Sequence, residues 1–162
     1  MNIKEIYSIQ QVKWMVLRKS QQDQLKLLLL EAYPSWEQIS TYLSQANIFI
    51  LLDHQDNIIA QLCLLQNNDR AEIKNLAVDH KHQKQGFAKV LIQQVIENAK
   101  HHKIKNLWVK TGNSSLDQLA LYQKCGFRMS HIERDAFKGY PKPIYENGIR
   151  CLDQVVLYIV FG

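Results

Sequence analysis

One stretch constrains this chain more than any other: Asp79 to Ala88, Asp-His-Lys-His-Gln-Lys-Gln-Gly-Phe-Ala. A β-rich apolar run, Glu72 to Val78, enters it, and a helical run from Gly86 to about Lys100 leaves it. Strand, short polar basic loop and helix in that order make an anion-binding turn. The first amides of a helix lack intrahelical acceptors, and the positive end of the helix dipole lies behind them. A phosphate can settle there without a side-chain ligand. Gly86 allows close backbone approach, and Lys81, Lys84 and Lys89 add positive charge. The spacing is neither a P-loop nor a dinucleotide fingerprint, because Gly-Lys-Ser/Thr and Gly-x-Gly are absent.

The rest of the chain falls into place around that turn. Residues 1–11 carry no clear signal, and Val12 to Arg18 predicts a first strand. Asp23 to Ala32 predicts a helix of strong helix formers, stopped by Pro34. Ser35 with Gln38 has capping-box spacing for a second helix to about Leu43. Tyr33, Trp36 and Tyr42 read chiefly as packing residues. Ile48–Leu52, Ile58–Leu65 and Glu72–Val78 are strands joined by polar turns, so they predict an antiparallel meander. The connection from Val78 to Leu107-Trp108-Val109 contains a whole helix, so that pair is predicted parallel and right-handed. The helix carries an apolar stripe of Ala88, Leu91, Ile92, Val95, Ile96 and Ala99.

Ser115 with Gln118 repeats capping-box spacing for a further helix, whose buried side is read as Leu116, Leu119 and Ala120, and Gly126 ends it. A strand from Phe127 to about Arg134, a long loop from Lys138 to Gly148 and a nearly all-apolar strand from Leu152 to Phe161 complete the chain. The last strand is apolar on both faces, which predicts a covering helix or a second subunit, hence a homodimer.

Composition bounds the alternatives. At 162 residues, with 46% hydrophobic and 22% charged residues, the chain suits a single domain over residues 1–162. No apolar run approaches the roughly 20 residues of a membrane span. Met1 to Glu5 lacks the basic start and apolar core of a signal peptide, so a cytoplasmic location is expected. Cys63, Cys125 and Cys151 fit neither a disulfide framework nor metal-ligand spacing, and no metal is expected. The net charge of +5 is concentrated between His80 and Lys105, where six lysines meet one acid, Glu97. A basic patch can mean nucleic acid, but these lysines bracket the phosphate turn and the far end of its helix, and no aromatic interleaving supports nucleic-acid binding. Neither a nucleic acid nor a membrane is expected as partner.

Gln83-x-x-Gly86-x-Ala88 resembles the acetyl-CoA signature of the GNAT (general N-acetyltransferase) superfamily, Gln/Arg-x-x-Gly-x-Gly/Ala. Ala120-Leu121-Tyr122-Gln123-Lys124-Cys125-Gly126-Phe127 resembles the superfamily helix that ends in Leu-Tyr-x-Lys-x-Gly-Phe. The two motifs, in this order over residues 71–127, carry the resemblance. It implies an α+β fold: a mixed, mostly antiparallel sheet of about seven strands, helices on both faces, and a splayed parallel pair that admits acetyl-CoA. The cofactor-binding residues it implies are the backbone of Leu76, Ala77 and Val78 for the pantetheine arm, and Gln83, Lys84, Gln85, Gly86, Phe87, Ala88 and Lys89 for the phosphates. Ser115 stands where family members often carry asparagine, and Asn113 lies two residues earlier, so both are candidates for a further contact.

The resemblance also implies chemistry. Acetyl transfer to an amine needs a neutral amine, amides aimed at the oxyanion, and a proton for the departing thiolate. Tyr122 matches the family's general acid. Glu72 is the best carboxylate for a base, direct or through water, with a solvent-facing strand residue as the competing reading. His80 and His82 titrate in the right range but lie on the phosphate side. A backbone amide near Leu76 or Ala77 would meet the oxyanion. The expected activity is acetyl transfer from acetyl-CoA, as cosubstrate, to a primary amine of a small molecule or peptide. The alternative is a non-catalytic acyl-CoA sensor. Glu146, Tyr140 and Tyr145 on the late loop are the residues placed to receive a cationic amine.

Overall fold

A seven-stranded sheet with one parallel pair organises the protein. The computed structural model describes residues 7–162, so the reading of Met1 to Glu5 lies outside the described residues. In chain order the elements are β1 (Ser8–Val12), α1 (Lys19–Ala32), α2 (Trp36–Leu43), β2 (Asn47–Leu52), β3 (Ile58–Asn67), β4 (Arg70–Val78), α3 (Phe87–His101), β5 (Asn106–Gly112), α4 (Leu116–Lys124), β6 (Arg128–Glu133), β7 (Tyr145–Glu146), β8 (Ile149–Arg150) and β9 (Gln154–Val160). The sheet runs β1-β2-β3-β4-β5-β9-β6. Among the described residues only β4 and β5 pair in parallel. The predicted meander, the parallel pair and the helix between them are all present.

The two faces of the sheet build two cores, and β2 shows why. Its side chains alternate across the pleat. Phe49 and Leu51 join Leu91, Ile92 and Val95 of α3, while Ile48, Ile50 and Leu52 join Leu25, Leu29 and Ile39 of α1 and α2. Phe49 is 2% exposed in the middle of the first cluster. Phe49→Ala should therefore lower stability by about 3–5 kcal/mol, from lost burial plus the cavity left behind. Urea unfolding with an unchanged m-value would report it; a midpoint equal to wild type would refute the central placement of this ring.

Four sequence expectations need correction. The first strand is Ser8–Val12, and Trp14–Val16 is a 3-10 turn instead. Pairing with β2 decides the matter, which a short, mostly exposed edge segment does not advertise. Helix α1 begins at Lys19, earlier than Asp23, with the Gln21 side chain accepting the Arg18 amide at 3.3 Å. In α4 the inward side is Leu119 and Tyr122, whereas Leu116 and Ala120 are exposed. The buried stripe is thus rotated toward the C-terminal half of the helix. Finally, the late loop contains a hairpin, β7–β8, closed by Asn147 and Gly148 at positive φ. Asn-Gly is the type I′ turn signal, a local one that the reading of a plain loop overlooks.

The second helix is capped as expected: the Ser35 hydroxyl accepts the Gln38 amide at 3.3 Å. The last strand β9 is an interior strand, held by β5 and β6, and Val155, Val156 and Leu157 are buried within one chain. Its apolar character therefore does not by itself call for a second subunit.

Candidate active site

The site begins with one extra residue. In the β3–β4 ladder Cys63 faces Asn75 and Leu64 faces Ile73, so Lys74 is a bulge on β4. A bulge bends its strand and increases the local twist. Pairing of β4 with β5 stops at the same place, with Ile73 opposite Val109. Beyond it, β4 stays with β3 to Val78, and β5 stays with β9 to Gly112. The two strands part and leave a fork between residues 74–78 and residues 110–112.

The fork opens into a cleft of about 660 Å³. Lys74, Asn75 and Leu76 line one side, and Lys110, Thr111 and Gly112 the other. The corner after α1, the α2 face and the late loop wall the rest, with a hydrogen bond between the Tyr33 and Tyr140 hydroxyls spanning from one wall to the other. Behind β4 a buried polar chain holds the bulge in place. The Asn75 carbonyl accepts from Gln61, and its amide donates to Leu29 O at 3.1 Å and to the Tyr42 hydroxyl at 3.4 Å. A half-satisfied network here would be costly, so this chain fixes where β4 leaves β5.

Glu72 and Tyr122 both line the cleft. The Glu72 side chain is only 15% exposed and lies 3.6 Å from Lys74 Nζ. It is thus no solvent-facing strand residue. Burial lifts its carboxyl above the ordinary carboxylate range, and the Lys74 and Lys110 ammoniums offset part of that rise. Tyr122 is 5% exposed, its ring edge-on to Phe127 at 5.6 Å. Among the described residues its hydroxyl has no hydrogen-bond partner, and no buried side-chain oxygen or nitrogen is left unsatisfied. The hydroxyl therefore looks into the cleft. Burial raises its pKa above the usual phenol value.

The turn expected to take phosphates lies at the open end of the fork. Gly86 adopts φ +89° and immediately precedes α3, offering no side-chain acceptor to the first-turn amides. Lys84 is also left-handed, at φ +61°. The Gln83 amide donates to Val78 O at 3.0 Å and ties the turn to the end of β4. Gln83, Lys84, Gln85, Gly86 and Lys89 are exposed, and Ala88 is half-buried. Phe87 points inward against Tyr7, so only its backbone faces the turn. Leu76, Ala77 and Val78 are half-buried along the forked edge.

The two remaining candidates separate. The Asn113 carbonyl accepts the Leu152 and Asp153 amides at 2.9 and 3.0 Å, and its amide donates to Arg150 O. It anchors the late loop and does not line the cleft. Ser115 lines the cleft, but the predicted capping bond to Gln118 is replaced by donation to Glu146 Oε1 at 3.0 Å. The buried Ser114 donates to the same oxygen at 3.2 Å. Tyr140 and Glu146 line the cleft, as the late-loop reading expects, while Tyr145 points to solvent. Sequence reasoning missed Asn75, Lys74 and Lys110. Only the pairing register reveals them, because nothing in the local sequence marks a bulge.

An extended ligand with amides fits such a fork, since strand groups released from a ladder need new partners. A fork of this kind beside an open helix start suits a long ligand that carries both amides and phosphates, which is the chemistry of an acyl-CoA. The acetyltransferase (GNAT) family model matches residues 4–127, and the chain belongs to that family. It is 40% identical, over 85% of its length and 89% of the relative's, to a Bacillus subtilis protein named uncharacterized N-acetyltransferase YvbK. A Bacillus subtilis acetyltransferase solved with CoA superposes with a TM-score of 0.85 at 36% identity, covering 96% of this chain and 99% of the other. A GNAT acetyltransferase from Elizabethkingia anophelis with acetyl-CoA bound gives 0.85 at 38%, covering 98% and 100%. Acetyl-CoA is the cosubstrate of an enzyme built this way. Among the described residues no helix is long and apolar enough to cross a membrane.

Proposed function

We propose that the protein is an N-acetyltransferase that moves the acetyl group of acetyl-CoA directly to a primary amine of a small molecule or peptide. The observation that carries this reading is the presence of Glu72 and Tyr122 in one cleft at the fork of β4 and β5. The similarity to a protein named as an N-acetyltransferase supports it.

In this reading the forked edge at Leu76, Ala77 and Val78 pairs with the pantetheine arm. The turn from Gln83 to Lys89 takes the phosphates. Glu72 accepts the ammonium proton and leaves a neutral amine. That amine attacks the thioester carbonyl, and an amide at Leu76 or Ala77 steadies the oxyanion. As the intermediate collapses, the carbon–sulfur bond breaks, the Tyr122 hydroxyl gives its proton to the sulfur, and the proton shed by the newly acylated nitrogen restores the Tyr122 hydroxyl, directly or through water in the cleft. The dry surroundings that raise the Tyr122 pKa also raise the proton affinity of the thiolate, so the transfer is not set back. Glu146 at the far wall provides the counter-charge for a cationic acceptor. A thiol-release assay over a panel of amines tests the reading. Amine-dependent release of CoA supports it, and acetyl-CoA binding with no release for any amine would favour the sensor reading.

The raised carboxyl of Glu72 gives a pH test. The folded protein holds this proton more tightly than the unfolded chain does. Its stability contribution is therefore full below the ordinary glutamate range and is lost as pH rises through the raised folded value. Glu72→Gln removes that loss, so the variant should gain on wild type in thermal midpoint as pH rises above the ordinary glutamate range. Activity moves the opposite way. A base works only when ionised, so wild-type kcat/KM rises across the same window, and that limb should be missing in Glu72→Gln. A midpoint difference that stays constant with pH, together with an unchanged pH–rate limb, would remove Glu72 from the mechanism.

A further inference from the structure

The outer edge of the sheet at β6 is the most open part of it. Five of the six residues of β6 are exposed and the sixth, Glu133, is half-buried. Two of the exposed residues are large and apolar, Met129 at 56% and Ile132 at 60%. An edge strand offers a row of unpaired amides and carbonyls, a template for another strand.

The register of β6 against β9 carries the inference. Arg128, Met129, His131, Ile132 and Glu133 face five successive residues of β9: Tyr158, Leu157, Val156, Val155 and Gln154. Ser130 is the bulge, skipped by the register. This changes which side chains share a face. Arg128, His131 and Glu133 stand on one face, and Met129 and Ile132 on the other. Lys110 Nζ lies 2.9 Å from Glu133, and β5 residue Lys110 faces Val156, as that face assignment requires.

When a strand pairs antiparallel with its own copy about a two-fold axis, the central residue meets itself. Residues equally far on either side then meet each other. Without the bulge, Arg128 and Glu133 would be an odd number of steps apart, on opposite faces, and could not meet. With Ser130 out of the register they are four steps apart, with His131 midway. The axis then falls at His131. Arg128 lies opposite Glu133 of the copy, twice over, and Met129 lies opposite Ile132, twice over. The strand is complementary to itself in charge and in hydrophobicity.

We propose that β6 is a self-pairing edge, and that two copies of this chain join β6 to β6 into one continuous fourteen-stranded sheet, seven strands from each copy. The occupant of this edge is a second copy of the chain. Opposite charges and apolar pairs directly across a ladder favour the register, and like charges there disfavour it.

The test is sedimentation equilibrium of the full chain from low to high micromolar concentration. Wild type should be dimeric. Arg128→Glu places glutamate opposite glutamate, and Glu133→Arg places arginine opposite arginine. Each variant should weaken the dimer about tenfold or more. Mixing the two variants should restore it, because the two negative positions of one chain then face the two positive positions of the other. The doubly exchanged chain, Arg128→Glu with Glu133→Arg, should dimerise alone, since opposite charges again meet across the axis. Arg128 lies on the surface and Glu133 is half-buried beside Lys110, so circular dichroism checks the fold of each variant. A wild type that stays monomeric overturns the proposal and makes the bulge and the charges guards against pairing. A dimer that tolerates both single variants, or a mixture that fails to recover, overturns it as well.

Discussion

Tyr122→Phe should lower kcat by about 10²–10⁴-fold, the usual worth of a positioned general acid. The substitution removes one oxygen from a ring that is otherwise core, packed on Phe127. Among the described residues the hydroxyl has no hydrogen-bond partner, so its loss orphans no donor or acceptor, and the melting temperature should hardly move. Affinity for acetyl-CoA should also change little, because the proposed contacts of the cosubstrate lie along β4 and the phosphate turn. The measurement is kcat and the acetyl-CoA Kd for both proteins, with any amine that supports turnover. A kcat within about threefold of wild type, where chemistry limits turnover, refutes the acid role. A large fall in stability with normal kcat would make Tyr122 a packing residue.

Gly86→Trp should abolish acetyl-CoA binding measurable by calorimetry. Gly86 sits at φ +89° directly before α3, where a bulky side chain covers the helix start. The left-handed conformation itself costs a non-glycine residue about 1–2 kcal/mol, which leaves the protein folded. S-acetylpantetheine separates the two effects. It carries the thioester and the arm but no phosphates, so its turnover should be the same in wild type and variant. Loss with both substrates means damage to the fork, and unchanged acetyl-CoA affinity means that the phosphates bind elsewhere.

How much of this is legible in the sequence depends on how far each determinant reaches along the chain. The meander, the βαβ unit and the Ser35 cap depend on residues within a few positions of one another, and they appear as read. The turn proposed for the phosphates is equally local in its backbone, from Asp79 to Gly86. The edge strand β1 escapes such a reading because Ser8–Val12 is mostly exposed and is set by its pairing with β2, some forty residues away. The inward side of α4 misleads because Leu116 looks like core but faces solvent, while Tyr122, with its polar tip, turns in. Of the proposed site, Glu72 and Tyr122 can be named from the sequence. The fork that brings them together cannot be seen in it. Lys74 is a bulge only by reference to β3, and Asn75 holds it only because Gln61, Leu29 and Tyr42 converge there.

The early end of the fork has a consequence for how the molecule breathes. Four residue pairs, Arg70–Ile73 against Asn106–Val109, form the whole ladder between β1–β4 and the β5-β9-β6 half. The sheet is thus two half-sheets fastened at one end. A ligand lying in the gap as proposed would take the place of the missing strand and couple them. Amide hydrogens from Asn75 to Val78 should exchange by local opening in the free protein and only with global unfolding once acetyl-CoA is bound. The cosubstrate would then belong to the architecture as much as to the reaction: bound, it should make the two half-sheets unfold as one cooperative unit, and its removal should cost the forked edge its protection first.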